Sequence, residues 1–291
     1  LTSYDRAIAL KSDYAEAYYS RGNTLWELKR LDDAIASYDR AIALKPDFAD
    51  AYSTRGLVLR DLNRLDDSRA SYDKAISIEP NRALFQMVRV MGSLPIIPKS
   101  ESEASLAIEQ FGVLLQRLDA WIADDETRRN RFSKEIGSTQ PFLLAYRHGN
   151  HCRVLSEYGD LLTSNLEHHD VSRKTRRSFR KKIRLLIVSA HIQRHSVWDV
   201  VLKGVVRHLD RSQFELFMYQ AAIIKADRET DWARAHADQW RDAIQIRGKD
   251  AWLASIREDA PDVIFYPEIG MDPTTVFLAA HRLAPVQVVG W

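Results

Sequence analysis

A single cysteine, Cys152, stands among 291 residues. No internal disulfide can form, and a cysteine-rich zinc site is excluded. So low a thiol content fits a reducing compartment, and a cytoplasmic location is expected. The chain has no apolar run of about 18 residues, so no membrane span is expected. Excess charge of one sign is also missing: 42 Lys and Arg against 40 Asp and Glu leave +2. Net charge therefore argues for neither a nucleic-acid nor a membrane partner. The opening LTSYDRAIALKSD carries charges throughout and no apolar core, unlike a signal peptide. G-x-G-x-x-G, G-x-x-x-x-G-K-[ST] and G-x-S-x-G are all absent, which disfavours dinucleotide, P-loop and hydrolase-elbow chemistry.

What is present is first a period. Tyr4, Tyr38 and Tyr72 are 34 residues apart, as are Ala7, Ala41 and Ala75. Gly22 pairs with Gly56, and Pro46 with Pro80, at the same interval. This is the tetratricopeptide (TPR) period, in which each unit is a helical hairpin. Residues 1–82 are read as an all-α TPR superhelix, with complete repeats at 15–48 and 49–82 and a partial one before them. Small residues (Gly22, Ala34) mark where two helices cross closely, and Pro46 ends the second helix. Such an array offers a groove for proteins or extended peptides, unless it serves only as a packing scaffold.

Residues 83–181 read as a helical connector. Ala83–Met91 continues the helices, GSLPIIPK breaks them, and apolar spacing predicts a long helix over 102–122. Two more helices are predicted over 141–150 and 154–166. The basic run RKTRRSFRKKIR (173–184) is read as a solvated linker face, because only Phe179 interleaves its charges. His148, His151 and Cys152 lack a second cluster of matching spacing, so no metal site is expected there. His168, His169 and Asp170 read as a surface turn.

The rest of the chain is organised around Lys182–Leu209. An apolar run ends at Ser189-Ala190, two histidines follow, and Val197, Val200, Val201, Val205 and Leu209 recur at helical spacing. That is strand, loop, helix, the opening unit of an α/β Rossmann-like lobe over 182–291. Further strands are predicted at 214–219, 243–246, 262–266 and 286–289, with helices at 229–240, 251–258 and 274–281. Alternation of this kind implies a doubly wound parallel sheet. Ligands of such sheets gather outside the carboxyl ends of the strands. His191, Arg194, His195 and Ser196 follow the first strand; Glu268 and Asp272 follow the strand ending at Tyr266. His195 is a candidate acid, base or phosphate contact, or else a helix cap. His191 and His195 as metal ligands would lack a third, so no metal is assigned.

Repeats leading into VSAHIQRHSVWDVVLKGVVRHLDRSQFELFMY and DAPDVIFYPEIGMDPTTVFLAAHRLAPVQVVGW resemble the O-linked N-acetylglucosaminyltransferase/SPINDLY-like family. The His-Ser-Val after the first strand and the RLAPVQ…W signature (Arg282–Gln287, Trp291) carry the resemblance. It implies the N-terminal half of a GT-B glycosyltransferase, which transfers a sugar from a nucleotide donor to Ser or Thr hydroxyls of proteins, with inversion and no cofactor. UDP-GlcNAc is the implied donor, and a nucleotide fucose the alternative. The other alternative is a TPR interaction module with a non-catalytic α/β platform. His195 matches the family's active-site histidine, and Asp259 an acidic residue near that site. Asp262 falls where animal relatives carry a second histidine, and position 191, acidic in many relatives, is His here. His191, Arg194, Ser196, Glu268 and Asp272 are expected to contact substrate. The family's C-terminal lobe supplies most nucleotide contacts, so the chain is read as a piece of a longer enzyme, inactive alone.

Overall fold

The computed structural model describes residues 1–166 and 181–290. His168, His169, Asp170, most of the basic run and Trp291 lie outside the described residues. The chain divides into two compact units, Leu1–Glu135 with Pro141–Tyr158, and Ile136–Gln140 with the residues from Gly159 onward.

The first unit stacks α1 (Thr2–Leu10), α2 (Ala15–Glu27), α3 (Leu31–Leu44), α4 (Ala49–Asp61), α5 (Leu65–Ile78) and α6 (Ala83–Met91). The repeat residues act as the period predicts. Tyr38 and Tyr72 are fully buried, each lying flat on the glycine of its own hairpin. A methyl group on Gly22 or Gly56 would come within 2.6 Å of that ring, so only glycine fits. Lys29 and Asn63, 34 apart, take left-handed φ values of 59° and 57° and close the hairpin turns. A second periodic feature joins successive hairpins. Arg21 pairs with Asp5 at 2.8 Å, Arg55 with Asp39 at 2.6 Å, and Arg89 with Asp73. Both rows recur every 34 residues, so this ladder carries the repeat into α6.

After α6 come α7 (Glu101–Ala123), capped by Ser100, and α8 (Glu126–Glu135). α8 was not predicted: ETRRNRFSKE is almost wholly polar and buries only Phe132. The helix expected over 141–150 is a short 3₁₀ turn, Phe142–Tyr146. Proline at its start and Gly149 at φ 109° leave no room for a longer one. α9 runs Cys152–Ser164.

The second unit is a five-stranded sheet, all parallel, in the order β3-β2-β1-β4-β5. The strands are β1 (Ile183–Ser189), β2 (Phe214–Gln220), β3 (Gln239–Asp242), β4 (Val263–Tyr266) and β5 (Val286–Val289). One face carries Ile187, Leu216 and Met218 and packs on Trp198, Leu202, Val206 and Ala233. Those come from a π-helical turn (Val197–Leu202), α10 (Lys203–His208) and α11 (Arg228–His236). The other face carries Tyr219, whose ring meets Trp252 of α12 (Lys249–Asp259) at 5.6 Å. α13 (Pro273–Ala280) joins that face, where Gln287 donates to the Ala279 carbonyl at 3.2 Å.

Two expectations are corrected here. The third strand is Gln239–Asp242, not 243–246, and the helix before it stops at His236. Asp242 accepts from the amides of Ile244 and Gln245 and turns the chain where the strand was expected. The helix after β1 buries Val197, Trp198, Leu202 and Val206, while Val200 is 81% exposed. Its first turn is π-helical, and the wider turn rotates the buried stripe by one residue.

Candidate functional site

In the order β3-β2-β1-β4-β5, connections leave β1 and β4 towards opposite faces. The crevice between their carboxyl ends is the switch point where open α/β sheets bind ligands. The loop 190–196 lies there, and polar groups from three sides hold it. From β2, Gln220 accepts from Ile192 N at 2.9 Å and donates to the Ala190 carbonyl at 2.7 Å. From α11, Thr230 donates to the Ile192 carbonyl at 2.9 Å. Asp227, the N-cap of α11, accepts from Arg194 N at 2.8 Å. From beyond β4, Glu268 Oε1 accepts from Ala190 N at 2.6 Å and Ser189 Oγ at 2.9 Å. Ser189 Oγ in turn accepts from His191 N at 3.0 Å.

The loop brings the two histidines together. Their rings are parallel within 12°, with centroids 4.0 Å apart. Burial, and then the neighbouring His195, hold the His191 imidazole below its usual range, while Asp272 pulls the other way. His195 Nδ1 accepts from Val197 N at 3.2 Å, so the ring closes the start of its helix. That bond leaves the neutral ring's proton on Nε2, which has no partner among the described residues. The site therefore offers an N–H donor beside a helix N-terminus, an arrangement suited to an oxyanion.

The other expected residues are placed as follows. Arg194 and Ser196 are exposed, and no hydrogen bond of either side chain is found among the described residues. Asp272 caps α13 by accepting from Thr274 N and Thr275 N at 2.8 and 3.1 Å. Glu268 turns its carboxyl inward: the residue is 1% exposed, and Oε2 is buried with no hydrogen-bond partner among the described residues. Asp259 is not at this corner. It closes α12, which ends where β4 is about to begin, so it lies at the amino ends of the strands. Both its oxygens are taken, by Tyr219 at 2.5 Å and by Arg241 at 2.8 and 3.1 Å. Its backbone carbonyl accepts from Arg184 at 2.7 Å. The carboxylate thus ties α12 to β2 and β3. Asp262 likewise sits at the start of β4, bonded to Arg184 N at 2.9 Å.

Sequence reading missed Ser189, Gln220, Asp227 and Thr230, which set the loop. A polar residue closing an apolar strand, as Gln220 closes FELFMYQ, was the available signal. Among the described residues no group of three or more His, Cys, Asp or Glu is arranged to hold a metal ion, and no helix is long and apolar enough to cross a membrane.

Burial pushes the Glu268 carboxyl up to about 7. Between the ordinary carboxylate range and that value the unfolded chain has released this proton and the folded chain has not. Stability therefore falls as pH rises through this window, by at most about 3 kcal/mol. His191, held low, works in the opposite sense through the imidazole range. Urea unfolding of Glu268→Gln beside wild type isolates the carboxyl: the variant should lack this fall.

Residues 15–48 and 49–82 each match the tetratricopeptide repeat family. Among solved structures, the chain is similar to a mutant O-GlcNAc transferase of Thermobaculum terrenum, with TM-score 0.50 and 18% identity, over 94% of this chain and 50% of that one. It is also similar to MamA, with TM-score 0.35 and 27% identity over 42% of this chain and 64% of that one. A third likeness is to YrrB, a TPR protein with an unusual peptide-binding site, with TM-score 0.35 and 17% identity over 56% of this chain and 79% of that one. No curated protein matches the chain. The likeness to the transferase establishes the fold, helical repeats followed by a parallel-sheet α/β region. This chain spans half the length of that protein.

Proposed function

We propose that the chain is the repeat-bearing and histidine-bearing part of a protein O-glycosyltransferase. It transfers a sugar, N-acetylglucosamine from UDP-GlcNAc, to Ser or Thr hydroxyls. The observation that carries this reading is the stacked His191–His195 pair at the switch point of a sheet whose fold matches that of an O-GlcNAc transferase. The repeats present an extended acceptor segment. Inverting transfer needs the acceptor hydroxyl in line with the anomeric carbon and a stabilised departing diphosphate. His195 Nε2–H supplies a donor for developing negative charge, and Arg194 a cation beside it. A second lobe, corresponding to the rest of the related transferase, holds most of the nucleotide. No cofactor is assigned.

The test is sugar transfer by the intact protein, offered UDP-GlcNAc, GDP-fucose and other nucleotide sugars with a mixed peptide pool. Transfer from UDP-GlcNAc is expected. Transfer from the fucose donor alone would replace the sugar and keep the class. Peptide binding without transfer from any donor would favour the interaction-module reading, which the repeats support by themselves.

A further inference from the structure

The loop after β1 carries both histidines, yet neither ring is anchored to the sheet. The anchoring is done through the backbone: Gln220, Thr230 and Asp227 hold residues 190–194 from one side, and among the described residues Glu268 alone holds the end of β1 from the other. Glu268 reaches across from beyond β4 and takes two donors of the β1 end on one oxygen, Ser189 Oγ at 2.9 Å and Ala190 N at 2.6 Å. Ser189 Oγ relays the contact by accepting from His191 N at 3.0 Å. Carboxyl, hydroxyl and His191 amide thus form one continuous chain across the crevice. The remaining oxygen, Oε2, is buried and has no hydrogen-bond partner among the described residues. A group that only satisfied backbone donors would not need a second buried oxygen, since an unpaired one costs desolvation energy.

We propose that Glu268 is the positioning residue of the histidine loop: through Ser189 and Ala190 it fixes the backbone at His191, and so the stacking of His191 on His195. It acts on the rings through the loop and touches neither. The contact with Oε1 works in either protonation state, and ionisation strengthens it because both partners donate. Asp272, on its own loop, is the charged group that bears on the Glu268 carboxyl and also faces His191. Loss of the Glu268 proton is therefore transmitted to the loop as a tighter hold on Ala190 and His191. This proposal rests on the histidine loop being the reactive corner.

The experiment is amide hydrogen exchange by NMR on the full chain, comparing wild type with Glu268→Gln, Glu268→Ala and Ser189→Ala. Glutamine keeps a carbonyl acceptor where Oε1 sits, so exchange at Ala190 and His191 should stay within about threefold of wild type. Alanine should raise exchange at both amides by about tenfold or more, with the strand amides of Leu186 and Met218 unchanged, and the imidazole signals should lose their stacking shift. Ser189→Ala should release His191 and leave Ala190 protected. The Ala190 amide shift should step near pH 7 in wild type and not in Glu268→Gln. Equal exchange in the glutamine and alanine variants, or a His191 amide indifferent to Ser189→Ala, would overturn the proposal. If Glu268→Ala does not fold, the glutamine and serine variants decide it. Absence of sugar transfer from any donor by the intact protein would sink the proposed function and leave these exchange results standing.

Discussion

Replacing His195 by asparagine in the intact protein is expected to lower sugar transfer by about 10²- to 10⁴-fold and to leave peptide binding unchanged. The choice of asparagine follows from the geometry. His195 does two things: Nδ1 accepts from Val197 N at 3.2 Å, and Nε2 is left as a free donor. Asparagine is a good helix cap and can take over the first task. It cannot place a donor where Nε2 lies. Alanine loses both, and adds about 1 kcal/mol of lost stability from the missing cap. The comparison separates capping from chemistry. Transfer that falls alike in both variants assigns the loss to Nε2. Full transfer by the asparagine form would reduce His195 to a cap and place the chemistry on other residues.

Asp259 should behave in the opposite way. The family resemblance puts it near the chemistry, but the structure puts it at the other end of the strands, in the seam between α12 and the sheet. Its variants should lose stability and leave the histidine loop intact. The side chain is 10% exposed against 25% for Arg241, and this asymmetry sets the sizes. Arg241→Ala leaves a carboxylate in the seam with only the Tyr219 hydroxyl, and should cost about 3–5 kcal/mol. Asp259→Asn leaves a guanidinium that can still turn to Glu258, 3.9 Å away, and should cost about 1–3 kcal/mol. The double variant should fall well short of the sum, because the two share one interaction. Urea midpoints at constant m-value measure all three. A Asp259→Asn protein as stable as wild type, with transfer abolished, would restore the catalytic assignment.

The parts of the molecule legible in the sequence are those built from a fixed period. Tyr38, Gly22 and their counterparts at 34 residues specify a hairpin because ring and glycine must meet, and nothing else fits. β1, β2 and β4 were legible because apolar runs buried on both faces have few other uses. β3 was not. Gln239–Asp242 is short and polar, and it becomes a strand only because β2 offers it a free edge. The buried stripe after His195 was misread because a π-turn breaks the 3.6-residue period on which such readings depend. At the site, type and position along the chain picked out His191 and His195. They also put Asp259 just before the strand that ends at Tyr266, but they could not tell that Glu268 faces inward. That fact comes from the pairing of β1 with β4, which is a long-range property.

The arginine ladder of the repeats bears on mechanics. Each pair clips one hairpin to the one before it, and two of the arginines also reach a serine of their own hairpin, Arg21 to Ser37 at 2.7 Å and Arg55 to Ser71 at 3.1 Å. The aspartates are about half exposed, so each clip holds with no more than about 1 kcal/mol, close to thermal energy. Between the hairpins, then, a row of exposed ion pairs runs beside buried apolar packing, in which Val58 joins Leu25 and Tyr38 and Gly92 lies against Tyr72. The ion pairs are the electrolyte-sensitive part of that junction, so added salt weakens the clips and leaves the buried contacts in place.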